Sequence, residues 1–90
     1  MTQYHLSISS PSGTIYDGDV TELLVRGIEG ELAVLAGHVP FLTVLKPGKC
    51  RVCFADGSVR TARCEGGILS VGESVQLLSS GFSWEDSPAA

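Results

Sequence analysis

The sequence predicts an all-β fold: an antiparallel sandwich of about eight to ten short strands in two packed sheets. Three observations carry this. No stretch of the first eighty residues holds a helical period for three turns. Short apolar or alternating runs recur instead, broken roughly every six to ten residues by Gly, Pro, Asp or Ser. Hydrophobic residues make up 43% of the 90 positions, enough for one packed interior and too few residues for a second.

The elements follow in order. Residues 4–9 alternate, with Tyr4, Leu6 and Ile8 on one face and His5, Ser7 and Ser9 on the other. Pro11, Ser12 and Gly13 turn the chain. Residues 14–16 read as a short strand, Asp17-Gly18-Asp19 as its break, and 20–26 as the next strand. Runs at 31–35 and 41–45 flank the loop Gly37-His38-Val39-Pro40. Residues 49–64 read as a hairpin about a two-residue Asp56-Gly57 turn, which sets Cys53 opposite Arg60 and Cys64 opposite Lys49. Gly66-Gly67 then marks a bulge or a close backbone approach before the run 68–71, and 75–79 closes the series. The expected core is Leu6, Ile8, Val20, Leu24, Leu32, Val34, Leu42, Val44, Val52, Phe54, Ile68 and Leu77. Residues 1–82 form the sandwich in this reading. Residues 83–90 are a short frayed tail, from which Trp84 folds back onto the core.

Composition excludes several classes of function. Ten acidic against six basic residues give a net charge of −4, so nucleic acid is not the expected partner. The basic set Lys49, Arg51, Arg60 and Arg63 reads as a solvated face. No apolar run approaches the ~20 residues that span a bilayer, and the first twenty residues lack the pattern of a signal peptide. The three cysteines are an odd number. In the expected register Cys53 and Cys64 share a face about 13 Å apart, too far to bond, and reduced structural thiols are expected.

Nor does a catalytic set emerge. No Gly-x-Ser-x-Gly elbow is present, and Gly27-Ile28-Glu29-Gly30-Glu31 ends in a carboxylate, where a phosphate-cradling loop would continue to Lys. His5 falls on a polar strand face. His38 could be a base, a metal ligand or a loop-fixing hydrogen bonder. The residues point to a non-enzyme with no cofactor and no metal, whose function resides in its surfaces.

Five blocks occur in order: Tyr4-His5-Leu6; Gly27-Ile28-Glu29-Gly30-Glu31-Leu32; Gly37-His38-Val39-Pro40-Phe41-Leu42-Thr43; Leu45-Lys46-Pro47-Gly48; and Gly66-Gly67-Ile68-Leu69-Ser70-Val71. Together they resemble the N-terminal β-sandwich of the epsilon subunit of the F-type ATP synthase, called delta in mitochondria. The resemblance covers about residues 3–80. Two positions depart from the family pattern: Ala36 where Pro is common and Glu65 where Ser is frequent.

The resemblance implies a central-stalk rotor subunit without catalytic activity. It would couple rotation of a proton- or sodium-driven c-ring to the gamma subunit and so to ATP synthesis. The implied partners are gamma and the c-ring. The implied location is peripheral, on the cytoplasmic face of a bacterial inner membrane rather than a chloroplast thylakoid. By position, Glu29, Glu31 and His38 correspond to the c-ring interface, and Ser10, Val39 and Phe41 to the gamma interface. The family's C-terminal helical hairpin is not among these residues, so no hairpin-mediated inhibition is expected of them. A free-standing β-sandwich binding module is the alternative, disfavoured because the six aromatic residues fall mostly at core-like positions.

Overall fold

A computed structural model describes residues 2–85, which form eight strands and no helix. They are β1 (Tyr4–Ser10), β2 (Gly13–Val20), β3 (Glu22–Gly27), β4 (Gly30–Leu35), β5 (Phe41–Cys53), β6 (Val59–Val71), β7 (Val75–Leu78) and β8 (Phe82–Trp84). Of the tail expected over 83–90, residues 86–90 lie outside the described residues, and Ser83 and Trp84 belong to β8.

The hydrogen-bonded order is β2-β1-β7-β6-β5-β3-β4, with β8 also on β6. Two strands, β5 and β6, run for 13 residues each and serve both layers of the sandwich. The start of β5 and the end of β6 join β7, β1 and β2 in one layer. The end of β5 and the start of β6 join β8, β3 and β4 in the other. The layers change where the ladder skips Lys46 and Gly66, between the pairs Leu45↔Gly67 and Pro47↔Glu65. Pro47, which lacks an N–H, adjoins this gap in the ladder, and the register is the same on both sides of it. The pairing is antiparallel except between β1 and β7, which run parallel.

The break read at Asp17-Gly18-Asp19 is absent, and the separate runs 41–45 and 49–53 are one strand. Lys46-Pro47-Gly48 lies inside β5, and Asp17-Gly18-Asp19 lies inside β2. Polar residues are compatible with the latter because β2 is an edge strand whose outer side faces water. Asp17 pairs opposite Ser7 and Asp19 opposite His5. The imidazole of His5 lies 2.8 Å from Asp17 and 3.7 Å from Asp19.

The 55–58 turn corrects the expected register. The type I′ turn that Asp-Gly favours needs positive φ at both central positions, and no described non-glycine residue adopts positive φ. Gly57 alone does, so the chain makes a tight turn closed by Gly57 N–H donating to Phe54 O, then a one-residue bulge with Phe54 N–H donating to Ser58 O. Asp56 fixes it by accepting from the Ser58 N–H and hydroxyl, bonds that hold its carboxyl below its ordinary range. Cys53 therefore faces Val59 instead of Arg60, and Cys64 faces Gly48 instead of Lys49.

The one-residue shift changes which cysteines share a face. Cys50 and Cys64 both point into the core, and Cys53 is half-buried on the outside; all three are free thiols. Burial, with Cys64 adding to it, pushes the Cys50 thiol up to about 12. An exposed-thiol reagent is expected to label Cys53 alone in the native chain and all three in denaturant, counted by mass. Native labelling of Cys50 would show that the core opens.

One core cluster ties the layers together. From the first layer come Leu6, Ile8, Val20, Leu69, Val75 and Leu77, and from the second Leu23, Val25, Val34, Cys50, Val52 and Ala62. The Tyr4 hydroxyl crosses the sandwich to donate to Val34 O at 2.6 Å. Four expected core residues take other places: Leu42, Val44 and Ile68 are exposed on the outer face and Leu24 is half-buried outside the core, whereas Leu32 and Phe54 are half-buried and pack against it. Pairing sets this parity: Leu23 opposes Val52 in the core, which turns Leu24 outward beside Arg51.

Candidate functional site

The outward residues of the first layer fall into a row. Val44 pairs with Ile68, Ile68 with Leu78, and Leu78 with Ser9. At the β5 end, Ile28 extends it by donating its N–H to Val44 O at 3.0 Å. The four apolar members are uncovered: Ile28 55%, Val44 51%, Ile68 45% and Leu78 49% exposed, with Leu42 at 70% beside them. Such a contiguous apolar stripe on a small domain marks an interaction face.

Each end of the stripe meets a groove. Beyond Ile28, one of about 330 Å³ is lined by Glu29, Glu31, Leu32, Phe41, Leu42 and Thr43 among others. It exists because the β3–β4 connection is only Ile28-Glu29, held between paired Gly27 and Gly30. So tight a connection leaves both side chains in solvent. Beyond Leu78 a groove of about 350 Å³ is lined by Ser9, Ser10, Pro11, Leu78, Ser79 and Ser80. Of the residues singled out from the sequence, Glu29, Glu31 and Phe41 meet at one end and Ser10 lies at the other. Val39 stands exposed in the 36–40 loop that leads into Phe41.

His38 turns inward instead. Its ring is half-buried, with Nδ1 2.6 Å from Leu35 O and Nε2 2.8 Å from Gly72 O. The Tyr4 ring meets it edge-on, centroids 5.3 Å apart. Burial keeps the Tyr4 hydroxyl protonated far above the ordinary phenol range. Of the three roles left open for this histidine, the geometry matches the loop-fixing one.

Several of the other charged and aromatic groups are occupied with one another. Lys49 reaches Glu85 at 3.6 Å, Arg63 pairs with Glu65 at 3.0 Å, and Arg60 stacks 4.0 Å over the Trp84 ring. Tyr16, Phe54, Phe82 and Trp84 pack edge-to-face against each other and form no flat exposed platform. Among the described residues no group of three or more His, Cys, Asp or Glu is placed to hold a metal ion.

A family model described as "ATP synthase, Delta/Epsilon chain, beta-sandwich domain" matches residues 3–84. The chain belongs to this family. Residues 3–84 are that family's beta-sandwich domain. Among solved structures it is similar to a chain of the Euglena gracilis mitochondrial ATP synthase, in a structure of its OSCP, F1 and c-ring in rotational state 1. The TM-score is 0.87 and the identity 25%, over 93% of this chain and 54% of that one. This delta/epsilon domain thus spans about half the length of that relative. A chain of the Tetrahymena thermophila mitochondrial ATP synthase central stalk and c-ring shares the fold, with a TM-score of 0.76 at 15% identity. That match covers 91% of this chain and 66% of the other.

The residues that the sequence reading missed on this delta/epsilon domain are Ile28, Val44, Ile68 and Leu78. A signal was present. The runs 41–45 and 68–71 are apolar at both parities, the mark of a strand covered on both of its faces.

Proposed function

We propose that this chain is a non-catalytic rotor element that joins the gamma subunit to the c-ring. The stripe Ile28–Val44–Ile68–Leu78 grips gamma, with Ser10, Val39 and Phe41 around it. Glu29 and Glu31 set the register on the basic loops of the ring. Rotation of the ring then passes through the sandwich to gamma and supports ATP synthesis. The coupling ion, proton or sodium, is a property of the ring. The chain sits peripherally on an energy-coupling membrane, on the cytoplasmic side in a bacterium.

The observation that carries this reading is the uncovered apolar stripe leading to an acidic turn. Burying an apolar face supplies affinity, and charges at its rim fix orientation. Each exposed rim pair contributes only about 0.2–1 kcal/mol, so the two carboxylates act together. Exchanging both, Glu29→Lys with Glu31→Lys, is expected to weaken ATP-driven ion pumping in membranes and leave the melting temperature of the isolated chain unchanged. Full pumping by the double variant would overturn the role of the turn. Failure of the chain to capture gamma from native membranes would overturn the docking reading itself.

A further inference from the structure

His38 bridges the end of β4 to the β6–β7 turn, whose Gly72 lies 34 residues beyond His38 in the chain. One ring nitrogen faces Leu35 O at 2.6 Å, at the end of β4; the other faces Gly72 O at 2.8 Å, in the β6–β7 turn. A carbonyl oxygen only accepts, so each contact is a hydrogen bond only when the nitrogen facing it carries a proton. Neutral imidazole has one N–H and the imidazolium has two. The doubly protonated ring therefore completes the arrangement. In the neutral ring one nitrogen lone pair is set against an oxygen lone pair. Tyr4 holds the ring from the side, with interplanar angle 86°, and its own hydroxyl is committed to Val34 O.

We propose that His38 is a positioning residue whose imidazolium clasps Leu35 O and Gly72 O and so fixes the 36–40 loop. That loop carries Val39 and sets the approach to Phe41 and Leu42. Loss of one ring proton unfastens one end of the clasp. The inference rests on the docking reading for its consequence, which is a grip on gamma that weakens as the ring is neutralised. The titratable groups on the elements packed against the ring are Tyr4 on β1, Glu22 opposite Leu35 on β3, and Glu73 in the β6–β7 turn. The ion pairs among the described residues engage His5, Lys49 and Arg63, and neither carboxylate pairs with His38.

Two measurements separate the clasp from the docking reading. The first follows the His38 ring nitrogens and the amides of 35–42 and 72–73 by NMR, in the 90-residue chain alone, from about pH 5.5 to 8.5. The amides are expected to move with the ring's own titration. Exchange within 36–40, corrected for intrinsic base catalysis, is expected to rise about tenfold once the ring is neutral. His38→Gln removes this pH dependence and His5→Gln keeps it. Amides that ignore the titration of His38 overturn the proposal, and the wild-type titration decides even if His38→Gln does not fold.

The second measurement is affinity for isolated gamma across the same range. A fall of about tenfold in the wild type, absent in His38→Gln, is expected. A pH-independent affinity beside a titrating clasp overturns the proposed control of docking. If gamma binds at no pH, the docking reading and the control built on it both fall, whereas the NMR titration still decides whether the clasp exists.

Discussion

Gly67→Ala is expected to remove a large share of the domain's folding stability. A Cβ at this position would lie 2.0 Å from Leu78 O and 3.0 Å from both Leu78 C and Ser79 Cα. These are backbone atoms of the neighbouring strand, which cannot recede without breaking the Ile68↔Leu78 pairing. The φ of +148° adds strain for any residue with a side chain. Strain of about 1–3 kcal/mol together with lost ladder bonds amounts to roughly 3–5 kcal/mol. Domains of this size hold only about 5–15 kcal/mol in total. A urea titration reads the loss directly. Gly30→Ala is the control, because φ there is +127° and nothing lies within 4 Å of the added carbon. It isolates the strain from the clash. A loss below about 1 kcal/mol in Gly67→Ala would show that β6 and β7 part easily.

Ile68→Asp is expected to have the largest effect on assembly. Ile68 is in the centre of the stripe, between Val44 and Leu78, and its side chain is already in water in the free domain. Folding of the isolated chain therefore changes little, as for surface substitutions generally. Bound, the carboxylate would be stripped of water among apolar groups with no partner. Affinity for gamma is expected to fall about 100-fold or more, equivalent to about 2.7 kcal/mol. Titration calorimetry beside a melting curve separates the two effects. Undiminished binding would place the docking face elsewhere on the molecule.

Much of the fold was legible because strand alternation is a local property. Tyr4, Leu6 and Ile8 are buried where the pattern of β1 requires it, and of the two readings of Gly66-Gly67 the close backbone approach holds, with no shift of register there. What was not legible depended on long-range pairing. Leu23-Leu24-Val25 is apolar at every position, so only Val52 across the ladder decides which of the three turns inward. The 55–58 turn misled for a conformational reason, since Asp56-Gly57 suits two kinds of hairpin and the chain takes the bulged one. At the candidate site, Glu29, Glu31 and Phe41 stood out by sequence, but the row joining Ile28 to Leu78 crosses strands far apart in the chain. The inward turn of His38 had no sequence signal, because its second partner is a backbone carbonyl 34 residues away.

The passage of β5 and β6 through both layers has a mechanical consequence. In most stacked sheets only side chains touch, and one wall can slip over the other. Here the walls are lengths of the same two ribbons, so slippage would have to tear main-chain bonds along the bend at Lys46 and Gly66. A load applied at the stripe thus reaches the Ile28-Glu29 corner without passing through a soft joint. A block whose walls are joined in this way passes a twist from one face to the other with little lost motion.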